Sequence, residues 1–191
     1  MPRNLVVYGL AVLAGLAGYF FLRSVLSDEL MFIFAVIGIG VGGVIVVRNL
    51  QTNRKVADAT PEQRGAALQF TAPSDKAALY VFRNQFVGRA VGINVLIDGR
   101  EVAQLKSPRF TRVLLAPGAY RIAGYTGTNK KPADGEGFAL NARAGEVLVL
   151  KTEVEPQMVG VTIKYSPVSV DVARGELQKI GKMVVPDVAE I

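Results

Sequence analysis

Hydrophobic and polar positions divide this chain into two unequal parts. Leu5 to Leu22 is a run of eighteen residues without a charge, and Leu30 to Val47 is a second of the same length. Neither run shows a polar face at helical spacing, as an amphipathic surface helix would. At roughly 1.5 Å per residue each covers about 27 Å, close to the ~30 Å hydrocarbon core of a bilayer. Backbone groups in lipid must be satisfied internally, which makes such a run helical. The pattern therefore predicts an N-terminal transmembrane helical hairpin over residues 1–50, with spans at 5–22 and 30–47 joined by the turn Arg23–Glu29 (RSVLSDE). One alternative is a helical hairpin buried in a globular core. Another is a signal peptide cut near Ala17-Gly18, against which the apolar run continues through Tyr19-Phe20-Phe21-Leu22.

Small residues at four-residue spacing punctuate both runs: Ala11 with Gly15, Ala14 with Gly18, and Gly38 with Gly42. Such pairs let helix backbones approach closely, so Gly15, Gly18, Gly38 and Gly42 are the candidate helix-packing positions, within the hairpin or between copies of the chain. Gly38 to Gly43 also satisfies the G-x-G-x-x-G pattern of dinucleotide sites, but that pattern needs a strand before it and a helix opening after it. Inside an apolar run it carries no such meaning. Lys and Arg near the run ends are one in the connector (Arg23) against Arg3, Arg48, Arg54, Lys55 and Arg64 outside it. By the positive-inside rule this favours both termini in the cytoplasm and the short turn outside.

After the second run the pattern changes. Residues 51–75 are polar with mixed charge and read as a juxtamembrane linker, with a short helix opening at Thr60-Pro61-Glu62 and running to about Gln69. From residue 76 onward, short runs at strand spacing alternate with turn signals. They are Ala77–Arg83, Ile93–Ile97, Glu101–Leu105, Phe110–Leu115, Ala119–Tyr125, Phe138–Ala142, Glu146–Val154 and Val161–Tyr165. Asp98-Gly99 between two of them is a strong hairpin signal. About eight strands without intervening helices predict an all-β sandwich over 76–191, closed by a short C-terminal helix, Val170–Ile180, that stops at Gly181.

Four stretches of this part, Tyr80-Val81-Phe82-Arg83, Val95–Gly99 (VLIDG), Leu114–Tyr120 (LLAPGAY) and Ala144–Val147 (AGEV), carry a family resemblance. Together, over about residues 76–155, they resemble a bacterial family of small, uncharacterised, often lipoprotein-associated β-sandwich domains, and the PEGA-like repeat. The resemblance implies a sandwich fold in which Gly99, Gly118 and Gly145 take positive φ. It implies no catalytic residues. This chain departs from the lipoprotein members in having no cysteine to acylate; with the charge count, the resemblance implies a bacterial inner-membrane location with cytoplasmic termini, and a periplasmic β-domain, as in the lipoprotein members, is the alternative.

Composition narrows the chemistry. With no Cys and no His, thiol nucleophiles, disulfides, thiolate or imidazole metal sites and His-based triads are excluded. The acid pairs Asp98/Glu101, Asp134/Glu136 and Glu153/Glu155 fall in turns or on strand faces, and Ser107, Ser166 and Ser169 have no candidate base except lysine. The expectation is a protein that is not an enzyme and needs no cofactor or metal. Of the net charge of +6, +5 belongs to residues 76–191, with sixteen Lys/Arg against eleven Asp/Glu. Arg83, Arg89, Arg109, Arg112, Arg121, Lys130 and Lys131 are candidates for a shared basic face, and Phe86-Val87 opens an apolar, glycine-containing loop that could dock a partner or a membrane. The expected partners are membrane lipid through the two helices, and an unidentified protein or a second copy of the chain. Nucleic acid is not expected, because aromatics on strands more often pack as core. The functional reading is a membrane-anchored, non-enzymatic interaction or scaffold protein, part of a membrane assembly. The alternative is binding of anionic lipid or envelope glycan by the basic sandwich.

Overall fold

The computed structural model describes residues 3–51, 53–86, 88–127, 131–133, 135–157 and 161–191, with side chains undescribed at 3–12, 45–46, 49–50 and 156. Two compact units make up the chain, Met1–Val47 and Arg48–Ile191.

The first unit contains α1 (Arg3–Val25) and most of α2 (Asp28–Gln51). Ser27 starts α2: its carbonyl accepts from Met31 N at 3.0 Å and its hydroxyl from Leu30 N at 3.5 Å. Asp28 and Glu29 sit in the first turn and Arg48 in the last, on the favourable ends of the helix dipole. The break between the helices is thus shorter than the seven-residue turn expected. The expectation of a transmembrane hairpin is overturned, because among the described residues no helix is long and apolar enough to cross a membrane. The uncharged stretches with described side chains are Leu13–Leu22 and Leu30–Val44, which at a rise of ~1.5 Å cover about 15 and 22 Å against a core of ~30 Å. The orientation drawn from the flanking cations presupposed crossing helices, and nothing in the structure tests it.

In the second unit, eight strands form two four-stranded sheets. They are β1 (Ala77–Arg83), β2 (Ile93–Ile97), β3 (Arg100–Leu105), β4 (Arg109–Leu115), β5 (Gly118–Thr126), β6 (Phe138–Ala142), β7 (Val147–Pro156) and β8 (Val161–Pro167). One sheet runs β4-β1-β7-β8 and the other β3-β2-β5-β6. All pairings are antiparallel except β1 with β7. The β2–β3 hairpin turns on Asp98 (φ 48°) and Gly99 (φ 75°), both left-handed, as a two-residue turn matched to strand twist requires. Gly145 also has positive φ, but Gly118 does not; it already belongs to β5, so the expectation of a left-handed glycine there is corrected.

Leu79, Val81, Val95, Ile97, Val113 and Ile122 fill the space between the sheets. A second apolar layer lies on the outer face of the first sheet, where Tyr80, Phe82, Phe110 and Val149 pack with Ala67, Phe70, Ala173 and Leu177. The helix expected in a linker belongs to this layer. In α3 (Pro61–Ala67), Thr60 caps the helix and Gln63 reaches back to the Thr60 N–H, a reciprocal capping box with Pro61 opening the helix. Ala67 at its end is buried, and its carbonyl accepts from the Tyr80 hydroxyl at 2.6 Å. Opposite it, α4 (Val170–Lys179) buries Ala173 and Leu177. After α4 the chain continues along β4: Val184 N donates to Phe110 O at 2.8 Å, and Leu114 exchanges bonds with Ala189 and Ile191 at 2.9 Å each.

Candidate functional site

β1 ends in Arg83, whose side chain is fully buried. No carboxylate meets it among the described residues. Its Nη2 donates to the Gly88 carbonyl at 2.9 Å and its Nη1 to the Val91 carbonyl, while Nε has no partner among the described residues. Burial lowers the pKa of this guanidinium from the ordinary 12.5 to about 10. A charged group taken out of water is costly unless it is well paired. What the guanidinium achieves in return is structural, because it ties the loop 84–92 to the end of the sandwich.

Other groups pin the same loop. Asn53 donates to the Ala90 carbonyl at 2.9 Å and accepts from Gly92 N at 2.8 Å. Gln85 accepts from Val154 N at 2.9 Å and donates to Val154 O at 2.7 Å, and its own N–H donates to the Ser107 hydroxyl at 2.8 Å. Ser107 N in turn donates to the Arg89 carbonyl at 3.2 Å. Arg54 N donates to Gln104 Oε1 at 2.7 Å, and the Gln104 amide reaches Asn94 beneath the loop at 2.7 Å. On this fixed base Phe86 stands 83% exposed. Val87, paired with it as a docking candidate, lies outside the described residues, and Arg89 is exposed beside it.

The remaining basic candidates do not gather on one face. Arg109 and Arg112 are three positions apart on β4, so their side chains leave opposite sides of the strand. Arg109 pairs with Asp58 at 3.0 Å. Arg112 donates to Thr71 O at 2.9 Å, with its guanidinium 6.0 Å from the centre of the Tyr80 ring. Arg121 and Lys131 do come together, beside Asp98 and Glu136, so acids interleave with them. Lys130 lies outside the described residues. The four candidate packing glycines, Gly15, Gly18, Gly38 and Gly42, are open: a Cβ added at any of them would meet nothing within 4 Å. Among the described residues they make no close helix contact.

A groove of about 800 Å³ opens between β8 and the second half of β5, and is lined by Ala123, Lys131, Phe138, Glu155, Ile163 and Tyr165. The acids proposed as pairs are engaged elsewhere: Glu101 with Arg54 at 2.6 Å, Glu153 with Lys151 at 3.2 Å and Glu155 with Lys164 at 3.5 Å. Asp98 accepts from Arg121 N at 2.7 Å; Asp134 lies outside the described residues. Among the described residues no group of three or more His, Cys, Asp or Glu is placed to hold a metal ion. Comparison of the chain with protein-family models, with curated proteins and with solved structures found no match. The PEGA-like resemblance therefore stands on the quoted residues alone.

At the inner end of the groove the Tyr165 hydroxyl donates to the Ala123 carbonyl at 2.8 Å, joining the two sheets. Burial pushes this hydroxyl well above the ordinary tyrosine value, and burial also raises Tyr80. A raised pKa in the folded state means that the neutral hydroxyl's contribution is complete below pH ~10 and is lost as pH rises through the folded value. Arg83 acts in the opposite sense, since its lowered pKa relieves the cost of its burial above pH 10 or so. Tyr165→Phe is expected to flatten the alkaline fall in stability relative to the parent, measured as denaturation midpoints from neutral pH upward. An identical alkaline slope in both proteins would show that the hydroxyl ionises freely.

Proposed function

We propose that this chain is a non-enzymatic interaction protein that attaches to lipid through the exposed apolar side chains of α1 and α2 and offers its β-sandwich to a partner. One observation carries the reading. Among the described residues, every exposed large hydrophobic side chain except Phe86 and Val172 belongs to α1 or α2, including Phe20 at 65%, Phe32 at 71% and Ile39 at 77%. Soluble monomers rarely leave an apolar surface of more than a few hundred Å² in water. Lipid acyl chains cover such a surface with no hydrogen-bond requirement. The attachment needs no crossing of the bilayer. The rival reading, a basic sandwich face on anionic headgroups or glycan, draws less support, because Arg109 and Arg112 are dispersed and engaged and the Arg121 guanidinium donates to the Gly137 carbonyl at 3.5 Å.

Flotation tests the proposal. The full chain is expected to rise with phosphatidylcholine–phosphatidylglycerol vesicles and to stay with them at high salt, because apolar contact is not screened. The combined variant Phe20→Lys, Phe32→Lys, Ile39→Lys is expected to remain in the dense fraction. Parent protein that stays in the dense fraction refutes lipid attachment, and release by salt transfers the role to the basic residues.

A further inference from the structure

The loop 84–92 joins β1 to β2 with far more support than a connector needs. A buried guanidinium, the Asn53 amide and the paired Gln85 amide hold it from three directions. Within the loop, Arg89 N bonds back to Phe86 O at 3.3 Å and Val91 N to Gly88 O at 3.0 Å. What this framework presents is a single bare aromatic ring: Phe86 is more exposed than any other large hydrophobic side chain described, those of α1 and α2 included. Fixing a residue in place costs conformational entropy, and burying an arginine without a carboxylate costs more. That expense is unexplained if the loop only closes a sandwich end, since among the described residues the ring is left largely bare.

We infer that the Phe86 loop is a second lipid-contact element, a preformed aromatic finger that inserts into the headgroup–acyl boundary of the surface to which α1 and α2 attach. The inference rests on the lipid reading proposed above. Three observations select lipid as the occupant. Asn53, which grips the loop on both sides of Val91, follows the last residue of α2 by only two positions, a reach of about 7 Å of extended chain. Whatever holds the end of α2 is therefore within reach of the loop. From Asn84 to Ile97 the chain has no acidic residue, while Arg89 is exposed and, like Lys55 and Lys106, forms no ion pair among the described residues. An exposed arginine in a loop without acids suits a phosphate-bearing surface, where it is worth about 1 kcal/mol near anionic lipid. A phenylalanine suits the headgroup–acyl boundary, where Trp, Phe and Leu of surface-bound elements bury.

The chain has no tryptophan, so Phe86→Trp gives a reporter that keeps an aromatic ring at the tip, and Val172→Trp, on the exposed side of α4, gives the comparison. Each full-length variant is mixed with phosphatidylcholine–phosphatidylglycerol vesicles, with and without phosphatidylcholine brominated on its acyl chains. The expected result is a blue shift and bromine quenching at position 86, with neither at position 172. Emission at 86 that stays solvent-like in protein that floats overturns the finger while leaving the helices as the attachment, and hands Phe86 to a protein partner. Quenching at both positions overturns it too, because it marks unspecific adsorption of the whole sandwich. Failure of the chain to float removes the lipid reading and the finger together.

Discussion

Replacing Arg83 by alanine is expected to cost about 3 kcal/mol or more of unfolding free energy, an effect reserved for a few mechanisms. Two of them coincide here. The variant leaves the part-buried Gly88 and Val91 carbonyls without their donor, at about 1.5 kcal/mol for each hydrogen bond to a charged group that is lost. It also empties the volume of one of the largest fully buried side chains in the protein. Arg83→Met separates the two effects. It refills much of the volume and removes the buried charge, so it is expected to recover a large part of the loss, as apolar replacements of buried ions often do. It does not restore the loop: the Val91 amide, bonded to Gly88 O, is expected to exchange with solvent faster in both variants. Urea denaturation reads the first effect and hydrogen exchange the second. A loss below about 1 kcal/mol in Arg83→Ala would mean that water reaches the two carbonyls and that the guanidinium is dispensable.

Arg83 also marks where the sequence stops being legible. The run Tyr80-Val81-Phe82-Arg83 reads as a strand, and the strand is there, but an arginine at its end looks like any solvated charge. Its burial depends on the loop that carries Gly88 and Val91 folding back over it, and on Asn53, distant in the chain, holding that loop in place; no strand or turn pattern encodes that. The hairpin at Asp98-Gly99 lies at the opposite extreme, since two left-handed residues in a row restrict the choice so strongly that the dipeptide is nearly sufficient. Strand positions follow alternation and turn chemistry, both local, and the eight strands lie close to the ranges expected. The segment from Arg48 to Asp75 misleads for the converse reason. Its mixed charge looks like a solvated linker, yet Arg54 reaches Glu101 and Asp187, and Asp58 holds Arg109 and Lys182. The residues after Gly181 carry no periodic signal at all, but Val184 is fully buried and Val188 and Ile191 pack on the core between the sheets. A tail that runs along β4 as isolated bridges has too few residues in register to show alternation. As for the candidate site, the Phe86 loop is visible in the sequence as an apolar, glycine-containing insertion, whereas the groove beside β8 is not, because it depends on how the two sheets are stacked.

Gly137→Ala is expected to be the most damaging glycine substitution, at about 2–4 kcal/mol, and the other glycines explain why. Gly137 has φ 124°, a region that side-chain-bearing residues rarely adopt, and an added Cβ would lie 2.4 Å from the Ile122 carbonyl oxygen and 3.0 Å from its carbon. Those are backbone atoms of β5, and Ile122 is fixed by its pairing with Phe138 next door. Neither neighbour can swing aside as a flexible side chain would. Gly135 isolates one component: its φ is 88°, but nothing lies within 4 Å of an added Cβ, so Gly135→Ala is expected to cost only the conformational strain of about 1–2 kcal/mol. Gly175 removes that component as well. It sits inside α4 with open space around it, and Gly175→Ala is expected to stabilise by about 0.5–1 kcal/mol through helix propensity. Thermal or urea unfolding of the three variants should therefore rank them 175, parent, 135, 137 from most to least stable. Gly137→Ala as mild as Gly135→Ala would mean that β5 yields at Ile122. The loop before β6 would then be free to move away from the groove, and the groove could not be a fixed feature of the sandwich.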